Sequence, residues 1–234
     1  MGIIYPYFPK DMALKLAATA GADTFIETGT FEGDTTKWAA TKFKDVYTIE
    51  LSEQFYNAIK DDLIAKGNIT PCLGDSRKVL PELLRDLPGN VIFWLDGHYS
   101  GGDTAGQEAP CPLREELEAI LARNNDDIVL IDDARCCKEA EYPSIAEIYK
   151  LVRDLPQNKR FLQICDDHIY IVPDQDRFRD ALVEYGLDRI IPLWELEQAS
   201  HKKKLTTRLY RAALVLLEKM GLLKIARKLI RGYS

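Results

Sequence analysis

Acidic side chains recur where apolar runs of this chain stop. Glu27 closes the run 24–28 and opens Glu27-Thr28-Gly29-Thr30-Phe31-Glu32-Gly33, an E-x-G-x-x-x-G turn. Glu50 closes 46–51, Asp75 and Ser76 follow 69–73, Asp96 follows 91–95, and Asp132-Asp133 follow 127–131. The glycine turn is small enough for a ligand to lie against bare backbone. It is not the G-x-G-x-x-G of a dinucleotide site. An acid ahead of the first glycine repels a pyrophosphate and suits a ligand with a cationic end. Glu50 falls about 20 residues past the glycines, the spacing of a carboxylate that accepts both hydroxyls of a ribose. Asp75 and Ser76 are placed to reach an adenine edge. If neighbouring strand ends bring Asp96, Asp132 and Asp133 together, they need a cation or shifted pKa values. All-oxygen ligands favour a hard ion such as Mg²⁺. His98, with an ordinary imidazole pKa of about 6.5, is the candidate general base, and Asp96 is the second.

The elements that must position these residues are legible from periodicity. Helical spacing covers 10–20, ended by Gly21. Strands are expected at 24–28, 46–51, 69–73, 91–95 and 127–131. Helices are expected at 34–43, from Ser52 to 65, after Ser76 to 87, at 112–123 and at 144–155. The run 91–95 is continuously apolar, as in a strand buried on both faces. Two short strands, 161–165 and 168–172, flank Asp166-Asp167 as a tight hairpin. Five strand–helix alternations followed by an antiparallel pair predict a three-layer α/β sandwich on a mostly parallel sheet. Ligands of such sheets bind at the carboxyl ends of the strands, where strand order reverses. The 97–111 loop, with four glycines, is long enough to be functional. The aromatic, proline-rich residues 1–9 are a lead-in that can fold over a site.

The chain has 234 residues, 46% of them hydrophobic and 29% charged, which suits one globular domain with an appendage. The net charge of −6 is uneven. Residues 201–234 hold six Lys, four Arg and one acid, a balance of +9, which leaves −15 on residues 1–200. An acidic body argues against a nucleic-acid partner. The five cysteines form no C-x-x-C pair and read as free thiols in a reducing compartment. A zinc site joining His98 to Cys136, Cys137 or His168 has no supporting spacing. The N-terminus lacks a signal-peptide pattern and no apolar run is long enough to span a bilayer, so a cytoplasmic location is expected. Residues 1–199 form the expected catalytic domain, with 1–22 as lead-in and first helix. Residues 200–234 form a basic amphipathic helix, broken near Gly221. That helix has three readings: docked on the body, peripheral to a membrane surface, or a homo-oligomer contact.

The glycine turn from Glu27 to Gly33, the acid Glu50 and the pair Gly74-Asp75 resemble the corresponding motifs of class I S-adenosylmethionine-dependent methyltransferases, over about residues 10–175. The resemblance implies a Rossmann-like methyltransferase sandwich, a seven-stranded sheet with an antiparallel C-terminal strand. It implies S-adenosylmethionine as cofactor, bound by Glu27, Thr28, Gly29, Thr30, Gly33, Glu50, Leu51, Asp75, Ser76 and Asp96. The Asp96 and Asp132-Asp133 arrangement looks like the cation-dependent O-methyltransferases that act on sugars and natural products. That likeness implies a divalent cation, Mg²⁺ or another, at Asp96, Asp132 and Asp133, orienting two vicinal hydroxyls of a small-molecule or saccharide acceptor. The second acid such enzymes carry after the strand-four Asp is His98 here. Arg135 and Lys138 are placed to line an acceptor pocket. The alternatives are a metal-independent methyltransferase with His98 as base, a nucleotide-dependent oxidoreductase, and a membrane-associated binding protein on the same fold.

Overall fold

A computed structural model of the chain describes residues 8–97 and 111–188. The described residues up to Gly186 belong to one compact unit. The elements in order are α1 (Lys10–Ala20), β1 (Thr24–Thr28), α2 (Asp34–Ala39), β2 (Asp45–Glu50), α3 (Glu53–Ile64), β3 (Ile69–Leu73), α4 (Ser76–Leu84) and β4 (Val91–Leu95). They continue with α5 (Leu113–Leu121), β5 (Ile128–Ile131), a 3-10 turn at Ala134–Lys138, α6 (Ile145–Arg153), β6 (Arg160–Cys165), β7 (His168–Pro173) and α7 (Asp176–Asp188).

The strands form one seven-stranded sheet in the order β3-β2-β1-β4-β5-β7-β6. The first five are parallel, and β7 runs antiparallel to both β5 and β6. Every residue of β1, β4, β5 and β7 is buried, which is why their sequences are apolar on both faces rather than alternating. Two cores result, one on each side of the sheet. Met12 and Leu16 of α1, Leu63 of α3, and Phe178 and Leu182 of α7 pack on Phe25, Trp94, Leu130 and Tyr170. Leu80 of α4, Leu117 and Ile120 of α5, and Ile148 of α6 pack on Ile26, Phe93, Val129 and Ile171. The chain leaves β1 toward β2 and β3, then returns to place β4 on the other side of β1. Strand order therefore reverses between β1 and β4.

The expected sandwich and all seven strands are present, with differences at element ends. Helix α2 stops at Ala39 instead of 43, because the Asn68 amide caps the carbonyls of Ala40 and Phe43. Helix α4 stops at Leu84 instead of 87; Pro88 has no N–H to give the Leu84 carbonyl, and the Arg123 guanidinium donates to the carbonyls of Leu84, Leu87 and Gly89 instead. The 3-10 turn after β5 was not expected from the sequence. The β6–β7 turn is as expected: Asp166 and Asp167 both have positive φ, 52° and 71°, as a two-residue hairpin needs. His98 and the rest of 98–110, the lead-in 1–7 and the basic segment 200–234 lie outside the described residues. Among the described residues no helix is long and apolar enough to cross a membrane.

Candidate functional site

The site begins at the reversal between β1 and β4. After Thr28 the chain turns at Gly29, with φ 87°, and the Gly29 N–H donates to the Ile49 carbonyl at 2.9 Å. A Cβ at Gly29 would run into the Asp96 carbonyl and stand 3.0 Å from the Gly97 Cα. Only glycine fits between these two strand ends. Thr28 and Thr30 are buried beside the turn, and Gly33 precedes α2.

Glu27 does not face outward. Register places it between Thr48 of β2 and Trp94 of β4. Its Oε2 accepts from the Thr36 hydroxyl at the start of α2 and from Thr48 Oγ1 at 3.2 Å. Thr48 Oγ1 in turn lies 2.6 Å from Thr30 Oγ1. Burial raises the Glu27 pKa to about 8, against the lowering effect of the two threonines. At neutral pH the carboxyl is mainly protonated. The expected negative charge for a cationic ligand is thus replaced by a buried, neutral clasp joining β1, β2 and α2.

Glu50 ends β2 with little exposed surface. Its Oε2 accepts the Phe31 N–H at 2.9 Å and its Oε1 the Ser52 N–H at 2.8 Å. Each oxygen keeps capacity for a further donor. Leu51, just beyond, is exposed. Asp75 is differently committed. It caps α4 through the Arg77 N–H at 3.0 Å and forms a forked pair with the Arg77 guanidinium at 2.6 Å. That bond holds its carboxyl below the usual range. Ser76 is the first residue of the helix that Asp75 caps.

Across the reversal, Asp96 carries a pKa raised to about 9, by burial first and then by the charges of Asp132, Glu27 and Asp133. These carboxyls therefore sense one another, as strand-end placement predicted. They are not gathered as ligands. Among the described residues no group of three His, Cys, Asp or Glu side chains is disposed to hold a metal ion. Asp133, in the left-handed region at φ 54°, pairs with Arg135 at 2.6 Å. Arg135 also pairs with Asp167 of the hairpin. Asp132 Oδ1 lies 3.4 Å from Nε2 of the buried His168. Among the described residues nothing supports the ion expected at Asp96, Asp132 and Asp133, and a guanidinium meets Asp133.

Three contributors were not singled out from the sequence. Thr36 and Thr48 become partners of Glu27 only through register and the α2 approach. His168 comes to the site because β7 pairs antiparallel with β5. No local motif signals any of them.

No protein-family model matches the chain, and no curated protein matches it. Several solved structures are similar to it at low identity. An rRNA methylase from Streptococcus thermophilus is 19% identical, covers 73% of this chain and 99% of its own, and has a TM-score of 0.45. A Streptococcus mutans protein described as a methyltransferase, solved in complex with SAH, is 15% identical over 71% of this chain and 98% of its own, with a TM-score of 0.48. A precorrin-6y C5,15-methyltransferase from Geobacter metallireducens is 12% identical over 74% of this chain and 91% of its own, with a TM-score of 0.46. Likenesses this distant carry no argument for this chain, and the names of these proteins span unlike acceptors. By the order and direction of its own seven strands, this chain has the Rossmann-like methyltransferase fold.

Proposed function

We propose that the chain is an S-adenosylmethionine-dependent methyltransferase that methylates a hydroxyl of a small acceptor such as a sugar, a glycan or a related natural product. The observation that carries this reading is Glu50. It is a buried carboxylate at the end of β2, beside the glycine turn, with two backbone N–H groups fixing it and acceptor capacity to spare. Glu50 would hold the ribose hydroxyls, and the turn at Gly29 would let the methionine end lie against the β1 and β4 strand ends. The cofactor supplies an electrophilic methyl group on a sulfonium, so alignment with the acceptor oxygen does much of the remaining work.

Burial and the neighbouring carboxyls raise the Asp96 pKa to about 9, which makes it a poorer resting base at neutral pH than His98 in this reading. His98, two residues on, takes the acceptor proton in this reading. Arg135 and Lys138 belong to the 3-10 turn, and in this reading they would flank the acceptor. The basic segment 200–234 would suit a saccharide carried on an anionic lipid surface.

Calorimetry with S-adenosylmethionine is the direct test. Binding by the full chain, lost in Glu50→Ala and not reproduced with NADH, is the expected result. Absence of binding by the unaltered chain would refute the proposal. Methyl transfer to glycosides but not to RNA would support the acceptor class, and the reverse would remove it.

A further inference from the structure

Phe31 stands where bulky residues seldom go. Its φ is 45°, in the left-handed region that crowds any residue with a Cβ. Core packing does not require this. The ring is 49% exposed, and it belongs to neither hydrophobic core. Two contacts fix it. Its N–H donates to Glu50 Oε2 at 2.9 Å. Its ring meets that of Phe55, in the first turn of α3, edge-on with centroids 5.0 Å apart and planes at 70°. A strained backbone thus holds an apolar ring at the rim of a buried carboxylate.

The rim continues. Leu51 follows Glu50 directly, and Leu73 lies beside it in the β2–β3 register; they are 46% and 44% exposed. Open apolar side chains around a carboxylate with spare acceptor capacity have the complementarity of a nucleoside. Sugar hydroxyls donate to the carboxylate, and the ring faces need apolar cover. Strain held at an exposed position points to use at that position.

We propose that Phe31 is a ligand-contacting residue of this site. With Phe55 it forms the wall against which the sugar of a nucleoside-bearing cofactor is held while its hydroxyls bond Glu50. The left-handed strain persists because the ring is needed there. This inference rests on the function proposed above.

Two substitutions separate ring from strain. Phe31→Gly removes both, and Phe31→Ala removes the ring while keeping the strain. Titration of the full chain with S-adenosylhomocysteine, alongside thermal melts, is the experiment. Both variants are expected to bind at least tenfold more weakly than the unaltered chain. Phe31→Gly is expected to melt at or above the unaltered chain, and above Phe31→Ala. Phe31→Trp is expected to keep most of the affinity. Phe31→Gly binding within twofold of the unaltered chain would overturn this inference and leave the proposed function standing. So would a Phe31→Gly melt well below that of the unaltered chain, because the ring would then be serving the fold. An unaltered chain that does not bind S-adenosylhomocysteine would overturn both.

Discussion

Thr48 lies directly opposite Glu27 in the β1–β2 register, and its hydroxyl donates to the Glu27 carboxyl at 3.2 Å. With Thr36 donating to the same oxygen, two strands and a helix close on one side chain. The two hydroxyls favour the charged carboxyl, but burial outweighs them and raises its pKa to about 8.

A pH dependence of stability follows. The Glu27 pKa rises from 4.5 to about 8 on folding, so the folded state keeps a proton that the unfolded chain releases above its own pKa. The contribution is fully present below pH 4.5, falls as pH rises toward about 8, and is flat above that. Its size is on the order of a few kcal/mol. Glu27→Gln stays neutral at every pH and keeps an oxygen for both threonines. It should melt near the unaltered chain at pH 5 and several degrees above it at pH 8. Parallel melting profiles for the two proteins across that range would contradict the assignment.

Gly29 is the most demanding position of the turn. Any Cβ there meets the Asp96 carbonyl, and the backbone is already at φ 87°. Gly29→Ala should cost about 3 kcal/mol or more, since strain and a backbone clash add. Denaturant unfolding would measure this directly. In any folded fraction, loss of S-adenosylmethionine binding should accompany it, because a Cβ displaces the turn on which the proposed cofactor would lie. A variant as stable as the unaltered chain would mean that the two strand ends are not in contact.

The sheet was legible because its strands are short, apolar and closed by acids. Trp94 and its neighbours read as a buried strand on hydrophobicity alone. The positions of the glycine turn and Glu50, at the ends of β1 and β2, were legible for a similar reason, since a strand end is read from consecutive residues. The roles of Glu27, Asp75 and Asp133 were not. Glu27 is engaged by Thr48 through register and by Thr36 through the approach of α2, whereas Asp75 and Asp133 are each met by an arginine two residues on, Arg77 and Arg135, the latter shared with Asp167. A carboxylate's position at a strand end is local information. Whether it is open to a ligand depends on register and on which side chains reach it.

The Asp133–Arg135 pair bears on the expected cation. With a guanidinium 2.6 Å from Asp133 and also on Asp167, the acidic cluster has an internal counter-charge. Melting temperature should therefore move by less than about 2 °C between millimolar Mg²⁺ and chelator, since ligand-linked stabilisation requires binding to the folded state. Arg135→Ala should cost less than about 1 kcal/mol, because its side chain is half exposed, and should bring out a Mg²⁺ dependence as Asp133 loses its partner. A clear Mg²⁺ shift in the unaltered protein would restore the metal reading.

The scaffold beneath the site hinges on Arg123 and Asp127, at the opposite ends of the strands. Asp127 is fully buried. Its Oδ1 accepts the Val91 N–H at 2.9 Å, and its Oδ2 accepts Arg123 Nε at 2.8 Å. The remaining Arg123 donors bind the carbonyls of Leu84, Leu87 and Gly89 and so shape the turn that leads into β4. Burial raises the Asp127 pKa, and Arg123 works against it. Arg123→Ala would leave a buried carboxylate without its main partner and remove a donor from the carbonyls of Leu84, Leu87 and Gly89, of which Gly89 keeps the Asn125 amide. Breaking such a pair from one side costs about 3–5 kcal/mol. Arg160 also offsets the Asp127 charge, so the lower end is expected. Arg123→Lys keeps the charge and loses the fork, and should recover less than half of the loss. Chemical denaturation of the three proteins at pH 7 tests this ordering. Equal stability of Arg123→Ala and the unaltered chain would show that the β4 turn is held by other contacts.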